Sequence, residues 1–518
     1  MGCFGAYGVV PHPVSPTLLS LSDRKVGEPA RDGGAAAYDP RMTTTRREFV
    51  QRSAAGALAL SLGPLAANTS AATRLTPAQL SALRSAVRGT VFTPATKGYS
   101  AASQLFNTRF NGIDPPAVVR VRDANDVREV VRWASRFDIP LVGKSGGNAY
   151  NGASTSSSAV VVDVGSLSSV SLNSSGVATI GPGALLLGVY ATLARRGATI
   201  PAGSCPNVAL GGHALGGGMG LAGRNLGLAL DRIQSIQAVT AAGELRTCSA
   251  SQNSDLFWAL RGGGGSFALV TSMKLRTQKV RSAAWFFARF PKGSRAAALE
   301  AFDDLAPGAP AALTSLCTLT SGGATVFGQY FGSEANLRKL IAPLRNIPGA
   351  SISVGTSSYL SLMTRWAGCA EGASVAQCEN IKPQPFDASS IYVAKKLSSA
   401  ARSAFVSAAN TGATLVCDSY GGRINDVSPS ATAFVHRNVR FSVQIVSYAP
   451  ISTARQRVNS ARKLIAKYGN GQAYQNYSDL DLSSPLQAYY GANLKRLESI
   501  KAQVDPDDRF QLTQGIRS

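Results

Sequence analysis

Between Pro201 and Gly220 the chain reads PAGSCPNVALGGHALGGGMG, one cysteine and one histidine set among seven glycines with no other ionisable side chain. A cysteine sulfur is a nucleophile once ionised, and a neighbouring imidazole donates or accepts a proton. Glycines at 211, 212, 217, 218 and 220 remove Cβ atoms and let backbone N–H groups crowd against something large and anionic, which points to a cofactor. Further glycine loops at 144–147, 181–183 and 262–265 each fall at the end of a predicted strand.

Other chemistries are tested against the same residues. Gly143-Lys144-Ser145 invites a phosphate-loop reading, but G-x-x-x-x-G-K-S needs glycine where this chain has Asp138. No G-x-G-x-x-G is completed, because Gly181 and Gly183 are followed by Leu186, and Gly263 and Gly265 by Ala268; a nicotinamide-binding domain is disfavoured. Gly143 to Gly147 also satisfies G-x-S-x-G, which would make Ser145 a hydrolase nucleophile with His436 as base. That motif needs a helix directly after the serine, and 148–158 is rich in Asn, Gly, Ser and Thr and reads as loop. The three histidines (His12, His213, His436) lie far apart and no CxxC pair exists, so a metal site is not expected.

Three motifs in order carry a resemblance: Gly143-Lys144-Ser145-Gly146-Gly147-Asn148-Ala149-Tyr150, then Ser204-Cys205-Pro206-Asn207-Val208 with Gly211-Gly212-His213 and Gly216 to Gly220, then Tyr474-Gln475-Asn476-Tyr477 with Tyr489-Tyr490-Gly491. From about Pro115 to Ile516 the chain resembles the berberine bridge enzyme-like FAD-linked oxidases of the vanillyl-alcohol oxidase superfamily. The resemblance implies an α+β, two-domain PCMH-type FAD-binding fold. Its FAD domain is bipartite, 73–280 and 473–518, and 281–472 forms a substrate domain with an antiparallel sheet covered by helices.

It also implies roles. The loop of Lys144, Ser145, Gly146, Gly147 and Asn148 would cradle the FAD pyrophosphate with backbone N–H groups, with Lys144 a cation where relatives have arginine, and Gly181 would also contact the cofactor. Gly203, Gly211, Gly212, His213, Gly217, Gly218, Gly220, Val270 and Asn476 would enclose the rest, His213 donating toward the flavin. Tyr150, Met219, Gln444, Tyr474 and Tyr477 match positions on the substrate side, and Tyr477 or Tyr474 would take a hydroxyl proton while hydride passes to flavin N5. Asn148 stands where relatives carry the histidine bonded to the flavin 8α carbon. A single covalent bond, from the Cys205 sulfur to flavin C6, is therefore expected. Val208, small and three residues after Cys205, goes with oxygen as the acceptor in this family. The implied reaction is oxidation of an alcohol, sugar, oligosaccharide or secondary metabolite with O2 giving H2O2; a dehydrogenase using another acceptor is the alternative.

The surrounding elements are read from periodicity. Ala117 to Val121 is a strand, Asp123 caps a helix with apolar face Val127, Val130, Val131, Ala134 and Phe137, and Ile139 to Val142 is a second strand in a parallel unit. Strands are expected to lead into and out of the 201–220 run. Beyond about Val280 aromatic strands alternate with helices, and Val439 to Tyr448 alternates as a strand with two faces. Asn493 to Val504 is an amphipathic helix stopped before Pro506.

At 518 residues two domains are the default. Thr45-Arg46-Arg47-Glu48-Phe49-Val50, an apolar stretch from Ala54 to Ala67 and small residues to Ala72 read as a twin-arginine export signal, with Met42 as a possible start and a periplasmic or secreted destination. No run of about 18 apolar residues spans a membrane. The net charge of +23 is dispersed, without basic blocks or interleaved aromatics, so it gives long-range attraction to anions and no specific nucleic-acid site. Of the cysteines, Cys369 and Cys378 close a short loop and are the expected disulfide.

Overall fold

The computed structural model describes residues 74–518; the predicted export signal, Cys3 and His12 lie outside the described residues. Among the described residues no helix is long and apolar enough to cross a membrane. The Asp123 side chain accepts from the N–H groups of Asn125 and Asp126 and so starts the helix Ala124–Phe137. Its buried face of Val127, Val130, Val131 and Ala134 packs in one core with Val119, Leu141 and Val162.

The first sheet has the order Thr90–Phe92, Val118–Arg120, Val160–Asp163, Leu141–Lys144. The two strands expected as a parallel unit are parallel, but not neighbours: Val160–Asp163 lies between them and pairs with both. Its residues are buried throughout, as a central parallel strand requires. The outer strand is not left bare. Leu141 donates its N–H to the Arg509 carbonyl (2.8 Å) and accepts from the Gln511 N–H (3.0 Å), so the chain end closes this edge. The fully buried Lys501, held by Asp505 and by the carbonyls of Ser266 (2.9 Å) and Phe510 (3.0 Å), fastens the terminal helix Leu494–Val504 to the 262–266 loop. These contacts make the first half bipartite.

A second, five-stranded antiparallel sheet contains Val177–Ile180, Leu269–Arg276 and Ile233–Val239 at its centre. The 201–220 run departs from expectation. It holds a helix, Leu210–Leu215, and is followed by the helix Gly223–Leu226 and the 3-10 turn Ala229–Arg232 before the next strand. Glycine's poor helix propensity is overridden by close packing, since a Cβ at Gly211 would strike the Ser145 hydroxyl.

The third sheet is antiparallel and seven-stranded, with Leu313–Leu319, Thr414–Ser419, Phe441–Ser447 and Asp387–Val393 as consecutive members of its second half. One face packs on the helices Arg295–Gly308, Ser399–Ala409 and Ile451–Ile465 through Phe441, Val443, Ile445, Leu415 and Cys417. Phe441–Ser447 is buried along its whole length, so its alternation of large apolar and polar residues marks two covered faces, one on the helices and one on the glycine-rich half. Across that contact Arg437 makes two bonds to Asp231 (2.7 and 2.9 Å), and the buried Arg224 donates to the carbonyls of Leu313 (2.8 Å), Ala309 (2.6 Å) and Tyr420. Truncating one partner of such a buried pair costs about 3–5 kcal/mol. Cys369 and Cys378 are joined as a disulfide.

Candidate active site

The glycine segments, the chain end and one face of the seven-stranded sheet enclose a single cleft. Gly143, Gly146 and Gly147 line one wall, Gly203, Gly211, Gly212 and Gly220 a second, Gly263 to Gly265 a third, and Asp418 and Leu316 look in from the sheet. Cβ atoms at Gly212 and Gly264 would meet nothing within 4 Å. Gly264 takes a φ of 77°, which itself favours glycine, whereas neither backbone nor packing calls for glycine at Gly212; the space there leaves room for another body, and FAD fits such a cradle of backbone N–H groups.

The structure sorts the expected cofactor residues. Ser145, Gly146, Gly147, Asn148, Gly203, Cys205, Val208, Gly211, Gly212, His213, Gly220, Val270, Asn476 and Tyr477 all face the cleft. Lys144 ends its strand there too, but its ammonium donates to the Ala102 carbonyl (2.5 Å) and faces Asp163 (3.8 Å). Asp163 also pairs with Arg120 (3.3 Å), so one carboxylate is shared between two cations, and the Lys144 ammonium is turned to the Ala102 carbonyl. Gly181, Gly217 and Gly218 serve behind the wall. A Cβ at Gly181 would collide with the Leu167 carbonyl, while Gly217 and Gly218 adopt φ of 138° and 83° to make the turn after the short helix.

His213 accepts the Gly203 N–H on Nε2 (2.9 Å), and burial lowers its pKa to about 4. The ring is neutral, and Nδ1–H is left as its donor. Ser145 donates its hydroxyl proton to the Pro182 carbonyl (2.8 Å) and is followed by loop. His436 is stacked on Tyr392 with Nδ1 3.0 Å from Gln472. No serine–histidine pair forms, and the hydrolase reading ends here.

The candidate bases separate in the same way. Tyr474 accepts on its phenol oxygen from the N–H groups of Gly218 (3.0 Å) and Met219 (3.4 Å) and from Asn476 (3.0 Å), so it anchors the glycine turn. Asn476 also donates to the His213 carbonyl (3.0 Å). Gln444 lies behind the wall and donates to the Tyr150 hydroxyl (2.7 Å), and Tyr150 stacks on Tyr477 at 5.7 Å. Tyr477 points its hydroxyl at the Asp418 carboxylate, 3.5 Å away.

Asp418 was not anticipated. It is buried, accepts from the Ser442 hydroxyl (3.2 Å), and burial pushes its pKa up to about 7. Burial, then the Asp418 charge, raises the pKa of Tyr477. A buried carboxylate poised near neutrality beside a phenol can relay a proton out of the cleft. The available signal was a lone acid in an otherwise uncharged strand, TLVCDS.

Comparison with known proteins agrees with this arrangement. The FAD binding domain family matches residues 115–249, and the berberine and berberine like family matches 473–517. A chitooligosaccharide oxidase of Gibberella zeae is 30% identical over 433 residues, covering 78% of this chain and 87% of its own. The solved BBE-like 1 of Physcomitrella patens superposes with a TM-score of 0.80 at 31% identity, covering 85% of this chain and 99% of that one. A glucooligosaccharide oxidase of Acremonium strictum, described with a 6-S-cysteinyl, 8α-N1-histidyl FAD, superposes at 0.78 with 25% identity, covering 85% and 99%.

Proposed function

The chain belongs to the berberine bridge enzyme-like FAD-linked oxidoreductases, and from that premise we propose that it is an exported oxidase of carbohydrate hydroxyl groups whose FAD is held by one covalent bond, from Cys205. The observation that carries the reading is convergence: Cys205, His213, Tyr477 and Asp418, from three distant parts of the sequence, face one glycine-walled cleft. The relatives' names support a sugar or oligosaccharide as substrate. The twin-arginine pattern of Arg46 and Arg47 supports export.

FAD, when bound, supplies the hydride acceptor and passes the electrons to O2, giving H2O2. The protein supplies the proton chemistry. Asp418, ionised above about pH 7, takes the phenol proton of Tyr477, and the phenol oxygen so freed takes the substrate hydroxyl proton. Neutral His213 holds a donor, Nδ1–H, in the cleft without adding a charge. Tyr474, Asn476 and the Gly217-Gly218 turn keep the wall fixed, and the small side chain of Val208 lines the cleft three residues after Cys205. Anaerobic titration with oligosaccharides, followed by air, tests the reading. Bleaching of the flavin bands that reverses with H2O2 release supports it; bands that no carbohydrate bleaches, or that stay bleached in air, refute it.

A further inference from the structure

Asn148 occupies the corner at which the 143–148 loop meets the Cys205 loop. Its side-chain NH2 donates to two carbonyls, those of Gly146 in its own loop (2.9 Å) and of Asn207 in the cysteine loop (3.0 Å). The loops also abut directly, because a Cβ at Gly146 would stand 2.9 Å from the Ala209 nitrogen. Ser145 and the Gly211 N–H both bond the Pro182 carbonyl (2.8 and 2.9 Å), closing the far side of the junction. The Asn207 carbonyl lies two residues beyond Cys205, so fixing it limits where the cysteine sulfur can sit.

We infer that Asn148 is a positioning residue for the attachment of flavin at Cys205: its bridging amide fixes the cysteine loop against the loop that carries the cofactor, and so performs with hydrogen bonds the restraint that a second covalent bond would give. This rests on the single linkage proposed above. The linkage forms one S–C6 bond and breaks the cysteine S–H and flavin C6–H bonds; two protons and two electrons pass to O2, which becomes H2O2. Nothing in that balance involves Asn148, whose amide lone pair is delocalised. Its contribution is geometric, and misplacement of a reacting atom by about 1 Å costs on the order of a hundredfold in rate.

The experiment uses full-length protein purified with excess FAD in air, with samples acid-denatured at intervals and the flavin left on the Cys205 peptide measured by mass spectrometry. Asn148→Asp keeps the shape, removes both donors and sets an oxygen against two carbonyl oxygens; Asn148→Ala removes the bridge, and Asn148→Ser keeps a single donor. Expected is FAD uptake in all three with linkage slowed about ten- to hundredfold in the Asp and Ala variants, Ser between them and wild type, and melting temperatures little changed. Linkage at the wild-type rate in Asn148→Asp or Asn148→Ala overturns the inference, as does a folded variant unable to take up FAD, which would make Asn148 a binding residue instead. Failure of the single-linkage reading is seen separately, as wild-type protein releasing its flavin on denaturation.

Discussion

The Tyr477 hydroxyl and the Asp418 carboxylate stand 3.5 Å apart in the cleft, on segments separated by 59 positions and brought together by the return of the chain end to the sheet. In the proposed reaction the pair is the proton path, which neither residue offers alone. Asp418→Asn is expected to lower the rate of flavin reduction by about 10²–10⁴ and to remove the acid limb of its pH profile, which in the wild type should fall below about pH 7. Stopped-flow reduction across pH 5–9 measures both.

Asp418 also makes a stability prediction of definite sign. Its folded pKa, about 7, lies above the ordinary aspartate value of ~3.9, so the folded state binds more protons between those values and loses stability as pH rises through 7. Asp418→Asn removes that penalty. Its melting temperature should gain on the wild type between pH 6 and pH 8 and not fall behind.

The two tyrosines should separate cleanly. Tyr477→Phe removes the proton acceptor and should cut turnover by roughly 10²–10⁴ with little change in melting. Tyr474→Phe leaves the Gly218 and Met219 N–H groups and the Asn476 amide without their shared acceptor, and should cost about 1–3 kcal/mol of stability with a smaller kinetic effect. Equal kinetic losses in both would contradict the assignment of Tyr477.

Much of this site was legible in the sequence because its motifs are local: the cysteine loop, Gly211-Gly212-His213 and the terminal tyrosines each keep neighbours together, and the Asp123 cap and its apolar face read directly. What was not legible came from tertiary pairing. Asp418 acquires its role only when Thr414–Ser419 is placed beside Phe441–Ser447 and under Tyr477. Lys144 reads as a phosphate ligand from its motif, and only the folded chain shows its ammonium bonded to the Ala102 carbonyl, beside an Asp163 that it shares with Arg120. The helix Leu210–Leu215 is hidden by its glycines, which close packing on Ser145 selects against propensity.

Space for the cofactor can be filled deliberately. Since a Cβ at Gly212 would meet no atom within 4 Å outside its own helix and chain neighbours, Gly212→Val should fold without FAD but bind FAD weakly, measured by flavin content after gel filtration. Normal flavin content would place the cofactor elsewhere in the cleft.

The proposed reaction with oxygen is expected to depend on the small side chain of Val208, which lines the cleft. Val208→Leu should slow reoxidation of reduced enzyme in air by about tenfold or more while leaving anaerobic reduction near wild type; an unchanged oxygen rate would remove Val208 from that role.

The most direct test of the account is mass spectrometry of the denatured, digested holoenzyme. Flavin is expected on the peptide containing Cys205 and not on the peptide containing Asn148, with complete release of FAD from Cys205→Ala. Free FAD from the wild type, or flavin carried by the Asn148 peptide, would contradict it.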